Sequence, residues 1–280
     1  GIGTITDNDN PPTVTSVDDP STPAINSVTV PEGTNAVFTV ALSNASSSVT
    51  TYPLVLASGS GASGATLGDD FTSAMVFSAG VTYDAGTGLV TVQPNISSFT
   101  VSVPTINDTT NELSPETFTL TVGGVVGTGN ITDDDGAPQV KTDGSGVSSP
   151  TENEGTSLTY TVTLTGTSSS ATTVNLKLAS GTTNGATFGG TGSDTDTPIQ
   201  VSTDSGVTWT TVTPDAGGNF TASIPAGGTT VQVRVPTVND TTDEPNETLD
   251  LTAAVGAQTP VKGIGTITDN DNPPTVTSVD

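Results

Sequence analysis

The stretch ETFTLTVGGVVGTGNITDDD, residues 116–135, decides the fold. Phe118 and Leu120 alternate with threonines, and period-two alternation marks a strand with one buried and one wet face. Glycines interrupt the pattern at a turn position. A further strand follows over 128–132, and the stretch closes on Asp133, Asp134 and Asp135. Working outward, the same alternation recurs. Phe38, Val40 and Leu42 show it, as do Tyr160, Val162 and Leu164. Phe99, Val101 and Val103 match Val231, Val233 and Val235, while Phe118 and Leu120 match Leu249 and Leu251. Thr and Val fill these runs, and both suit strands. No segment has a helical period.

The matches reflect an internal repeat. Residues 1–18, GIGTITDNDNPPTVTSVD, recur unchanged at 263–280, and a weaker copy, GTGNITDDDGAPQV, occupies 127–140. Aligning Ile5, Ile131 and Ile267 gives two full repeats, 11–136 and 137–272. The tail of a preceding repeat (1–10) and the start of a following one (273–280) flank them. The chain opens in mid-motif, so an excised segment of a longer protein is expected. In the first repeat strands are expected over 13–30 with a break, 35–42, 50–56, 73–77, 98–103, 117–122 and 128–132, with a small hairpin within 78–95. About seven strands per repeat fit an immunoglobulin-like sandwich. The expected fold class is therefore all-β, with tandem immunoglobulin-like β-sandwich domains joined end to end. Tyr83 and Trp209, in the variable middle parts, are read as core or hairpin residues.

Composition narrows the function. The 280 residues carry 4 Lys+Arg against 29 Asp+Glu, a formal charge of −25. The four cations, Lys141, Lys177, Arg234 and Lys262, are scattered. Nucleic acid and anionic membrane surfaces need clustered cations, so neither is an expected partner. No stretch approaches the roughly 20 apolar residues of a spanning helix. Cys and His are both absent, which removes disulfides, thiolate sites, the usual transition-metal ligand and the commonest general base. What remains for a metal is oxygen, which suits calcium or magnesium.

Strand parity places the acids. Successive strands of a sandwich run in opposite directions, so four connections share one end of each repeat. In the first repeat these carry Glu32; Asp69 and Asp70; Asp108, Glu112 and Glu116; and Asp133, Asp134 and Asp135. In the second they carry Glu154; Asp194 and Asp196; Asp240, Asp243, Glu244 and Glu247; and Asp269 and Asp271. An odd number of extra strands in the middle of a repeat would break this parity. Carboxylates so close repel one another unless cations join them. Calcium accepts about six to eight oxygens in flexible geometry, whereas magnesium demands a stricter octahedron, so about two calcium ions per tip are expected. The plain alternative is a solvated acidic loop. A catalytic carboxylate pair for glycoside hydrolysis needs a cleft, usually with sugar-stacking aromatics, and this chain has 1 Trp and 3 Tyr. The chain is read as not an enzyme. Triplets such as Asn95-Ile-Ser and Asn246-Glu-Thr arise by chance in so Thr- and Ser-rich a sequence and carry no weight.

The ordered motifs resemble a Calx-beta domain. They are Glu32-Gly33; Asp69-Asp70-Phe71; Asn107-Asp108 with Glu112; Glu116-Thr-Phe-Thr-Leu120; and Ile131-Thr-Asp-Asp-Asp135. The second repeat offers Glu154-Gly155, Gly192-Ser193-Asp194, Asn239-Asp240 with Glu244, Glu247-Thr-Leu-Asp-Leu251 and Ile267-Thr-Asp-Asn-Asp271. The resemblance covers nearly the whole chain. It implies calcium on Glu32, Asp70, Asp108, Glu112 and Asp133 to Asp135, and on Glu154, Asp194, Asp240, Glu244, Asp269 and Asp271. Two departures stand out: Thr195 replaces the aromatic after the acid, and Asn270 replaces the middle acid of the closing motif. A second site holding fewer or weaker ions is expected from them.

Tandem, acidic, Cys-free copies of this kind resemble the extender repeats of long bacterial surface adhesins of the RTX type. That resemblance implies type I secretion, an extracellular location on the bacterial cell surface, and a role in surface attachment or biofilm formation. The expected function is a calcium-rigidified spacer that projects a distal adhesion module. Its partners would be neighbouring repeats of the same chain, in a monomeric rod. The short linkers Gly136-Ala137-Pro138 and Asn272-Pro273-Pro274 fit such a rod, since proline limits backbone freedom. The alternative is a glycan- or protein-binding module in its own right, which ligand screening of both repeats would detect. A eukaryotic-type calcium regulatory module fits less well, given so few cations and the unchanged repetition of residues 1–18.

Overall fold

A computed structural model describes residues 2–3, 10–19, 26–188 and 193–277. Most of the expected preceding-repeat tail (1–10), with Gly192 and residues 278–280, lies outside the described residues. The chain divides into two compact units. One comprises residues 1–108 and 112–135, the other 109–111 and 136–280. No helix among the described residues is long and apolar enough to cross a membrane.

The first unit is a sandwich of two sheets. One is four-stranded, in the order Val14–Asp18, Ala36–Leu42, Ser98–Val103, Val76–Phe77. The other is six-stranded: Ser27–Pro31, Val125–Thr132, Glu116–Val122, Thr50–Ser58, Leu89–Val92, Val81–Asp84. The expected broken strand over 13–30 is thus two strands in different sheets. Val14–Asp18 pairs antiparallel with Ala36–Leu42, and Ser27–Pro31 pairs parallel with Val125–Thr132. The strand expected over 73–77 shrinks to Val76–Phe77. The anticipated hairpin is present as Val81–Asp84 and Leu89–Val92. Two strands are therefore inserted before Ser98–Val103, and an even insertion preserves the parity on which the placement of the acids depends.

Alternation fills the interlayer. Phe38, Val40, Phe99, Val101, Phe118 and Leu120 are all buried. Phe38 meets Phe118 edge-on at 6.0 Å, and Phe71 stacks on Phe118 at 4.5 Å. Gly129 permits this arrangement, because a Cβ there would lie 2.2 Å from the Phe118 ring. Tyr83 sits in the hairpin and stacks on Phe77 at 5.7 Å.

The second unit follows a related plan with different edges and different fillings. Its sheets are Thr151–Asn153, Val261–Thr268, Glu247–Val255, Thr172–Ser180, Asn219–Ile224 and Ser157–Thr163, Thr230–Pro236, Ile199–Ser202, Thr210–Val212. Leu249 takes the place of Phe118 and Tyr160 that of Phe38. The longer Tyr160 compensates for the smaller Leu249, and its hydroxyl donates to the Leu249 carbonyl at 2.6 Å. Trp209 precedes the strand Thr210–Val212. Its ring lies 4.1 Å from the Arg234 guanidinium carbon, and its indole N–H donates to the Gly206 carbonyl.

Candidate metal centre

Each acid is positioned by backbone that the sequence dictates locally. Glu32 follows the parallel strand Ser27–Pro31, and its N–H donates to the Thr132 carbonyl at 3.1 Å. Gly33 turns the chain at φ +69°, and a Cβ there would meet the Asn107 side chain at 2.8 Å. The second unit repeats this, with Glu154 N–H on the Thr268 carbonyl at 3.1 Å and Gly155 at φ +73° against Asn239. The Glu-Gly pair is therefore a device for bringing a carboxylate to the end of a strand while the loop bearing Asn107 or Asn239 packs close.

Asp70 is held from two sides. Its carboxylate accepts the Thr66 N–H, and its carbonyl accepts the Ile106 N–H at 2.9 Å. Asp194 likewise accepts the Thr187 N–H and hydroxyl, and its carbonyl accepts the Val238 N–H. The aromatic missing at Thr195 is supplied from across a bridge. Leu67 faces Phe71 in the first unit, whereas Phe188 faces Thr195 in the second. Thr195 is fully buried and donates to the Thr187 carbonyl, so this substitution preserves the frame that holds Asp194.

Among the described residues four groups of three carboxylates result, each offering oxygens within 4.8 Å of one another. They are Glu32, Asp133 and Asp135; Asp70, Glu112 and Glu116; Glu154, Asp269 and Asp271; and Asp194, Glu244 and Glu247. The expected four segments meet in each unit. In the first, one cleft is lined by Glu32, Asp70, Asp108, Glu112, Glu116 and Asp133. Asp108 stands between the two groups, and its N–H donates to Glu32 Oε2 at 3.1 Å. Asp240 occupies the matching loop and accepts the Thr242 N–H at 2.7 Å.

Asp69 and Asp134 are exposed and belong to neither group. Asp134 contributes its amide instead, donating to Glu32 Oε1 at 3.4 Å. Asn270 makes the same backbone contact with Glu154 Oε1 at 3.4 Å, so its amide side chain removes no carboxylate from the second set. Asp196 caps the Thr197 N–H, and Asp243 also stands outside the groups. The signal that sequence reading left unassigned is the asparagine before each loop acid. Asn107 donates to the Asp108 carbonyl and Asn239 to the Asp240 carbonyl, while Asn239 Oδ1 accepts from Asn270.

The electrostatics are those of acids crowded together. Burial first, then repulsion by Glu116 and Asp70, pushes Glu112 up to about 7. Burial and Asp70 do the same to Glu116, and burial and Asp194 to Glu247, each to about 7. Glu32, Asp135, Glu154 and Glu244 are also raised, with desolvation the largest cause in every case. The ion pair recorded among the described residues, Lys262–Asp250 at 2.9 Å, lies outside these groups. Two unit charges 4.8 Å apart repel by roughly 3–4 kcal/mol at an effective dielectric of about 20. Asp271 Oδ2 is buried and receives no hydrogen bond among the described residues. All-oxygen donor sets with an orphaned carboxylate atom fit a hard divalent cation.

No family model matches the chain, and no curated protein matches it. Among solved structures it is similar to CBD12 from CALX1.2, at 14% identity over 83% of this chain and 79% of that one, with a TM-score of 0.30. It is also similar to the calcium binding domain CBD12 of CALX1.1 (14%, 87% and 79%, TM-score 0.31). A third is the apo-form Calx CBD1 domain (17%, 44% and 90%, TM-score 0.28).

Proposed function

We propose that the chain is a calcium-stabilised spacer segment of an extracellular bacterial surface adhesin of the RTX type. In this reading it is not an enzyme, and its role is to hold a distal adhesion module away from the cell for attachment or biofilm formation. The observation that carries the reading is the pair of three-carboxylate groups in each unit, built from the same four segments. Glu32, Asp133 and Asp135 would hold one ion and Asp70, Glu112 and Glu116 another. Glu154, Asp269 and Asp271, with Asp194, Glu244 and Glu247, would do so in the second unit. Bound calcium supplies positive charge that replaces mutual repulsion by shared ligation. The residues' own part is to cross-link four loops that otherwise repel. Neighbouring repeats of the same chain are the proposed partners, in a monomeric rod.

Small-angle scattering in millimolar calcium and in chelator tests this reading. The expected result is an extended particle in calcium whose maximum dimension becomes less well defined in chelator. A compact calcium-bound particle would overturn it.

A further inference from the structure

One difference between the two units lies at a sheet edge. In the first, Leu89–Val92 pairs on one side with Thr50–Ser58 and on the other with Val81–Asp84. In the second, among the described residues, Asn219–Ile224 pairs with Thr172–Ser180 alone. Sheet register equates the strands, since Val90 lies opposite Tyr52 as Ala222 lies opposite Val174. The strand that would cover the second edge, Thr210–Val212, is instead committed to Ile199–Ser202 in the other sheet.

The open side of this edge can be read from its hydrogen bonds. Leu178 N–H donates to the Gly218 carbonyl, so Gly218 faces Thr172–Ser180. Asn219 faces away, exchanging bonds with the Asp215 turn through its N–H and carbonyl. Alternation then turns Phe220, Ala222 and Ile224 toward the sheet and Thr221 and Ser223 outward. Outside the ladder to Thr172–Ser180, no backbone hydrogen bond of Thr221 or Ser223 is found among the described residues, and both residues are exposed. Exposed edges are ordinarily blunted by Lys, Pro or a bulge, and Asn219-Phe-Thr-Ala-Ser-Ile224 carries none of these. A cleft of about 290 Å³ runs beside the edge, lined by Val201, Ser202, Thr210, Val212, Ala222 and Ser223.

We propose that this edge is a docking site for one extended strand of another polypeptide, added antiparallel to Asn219–Ile224. The first unit supplies the template. There Val81 lies opposite Val92 and Tyr83 opposite Val90, and Val81 is buried. The partner strand therefore carries apolar residues at alternate positions, which enter the cleft, while its backbone completes the ladder at Thr221 and Ser223. With a host charge of −25, a strand with basic flanks is favoured over an acidic one.

The test is amide hydrogen exchange on the full chain. The probe is the peptide Lys-Gly-Val-Thr-Tyr-Asn-Ala-Lys at millimolar concentration. Its control, Lys-Gly-Thr-Val-Asn-Tyr-Ala-Lys, has the same composition with the alternation moved by one residue. The expected result is slowing of Thr221 and Ser223 by about tenfold or more with the probe and little with the control. Ser223→Pro removes an outward N–H without breaking the ladder to Thr172–Ser180, so it should abolish protection at Thr221 while the melting temperature holds. The wild-type exchange result stands even if that variant does not fold. Unchanged exchange at both amides, or equal protection by both peptides, overturns the proposal. Protection that grows with chain concentration alone also overturns it, by showing that a second copy fills the edge.

Discussion

The backbone amide of Asp134 donates to Glu32 Oε1 at 3.4 Å, while the Asp134 side chain is exposed. The middle residue of the closing Asp133-Asp134-Asp135 motif thus orients a carboxylate of the group without adding one of its own. Asn270 performs the same task beside Glu154.

A mutational contrast follows. Asp135→Asn should weaken calcium binding in the first unit by about tenfold or more, since it removes one of three clustered carboxylates. Asp134→Asn should change it by no more than about twofold, because an exposed charge is screened. Calorimetric titration of both variants measures the difference. Equal losses would place the Asp134 carboxylate in the site.

Without metal, stability should depend on pH in an unusual direction. Glu112, Glu116 and Glu247 are raised from 4.5 to about 7. Between those values the folded chain keeps protons that the unfolded chain releases, so this stabilisation is full below 4.5 and lost as pH rises through 7. In chelator the melting temperature should fall from about pH 5.5 to about pH 7.5. In calcium the trend should flatten or reverse, because protons compete with the ion for the same oxygens. A chelator profile that is flat across this window would contradict the assignment.

The interlayer offers a test of the fold itself. Gly129→Ala places a Cβ against the buried, doubly packed ring of Phe118. It should cost about 1–3 kcal/mol, as overpacking does. Gly136→Ala, where nothing lies within 4 Å, should be neutral. Thermal unfolding of the two variants reports the difference, and equal stability would mean that the two sheets are not packed at this distance.

Much of this was legible in the sequence, for identifiable reasons. Phe38, Val40 and Leu42 alternate strictly, and a one-residue slip would turn all three to solvent, so their strand could be read directly. The acids were placed by parity, which survived because the inserted hairpin Val81–Asp84 and Leu89–Val92 adds an even number of strands. Three things were less accessible. The division of 13–30 between two sheets depends on partner choice, to which period-two alternation is blind. The outward turn of Asp69 and Asp134 depends on backbone direction at single residues in loops. The exchange of Phe71 and Leu67 for Thr195 and Phe188 is a tertiary substitution, visible only once the two segments are brought side by side.

The most direct measurement of the central claim is calorimetric titration of the metal-free full chain with calcium at neutral pH. Saturable binding of about four ions, two per unit, is expected, with release of protons from the raised glutamates. Titration without saturable heat, and a melting temperature identical in calcium and in chelator, would contradict it.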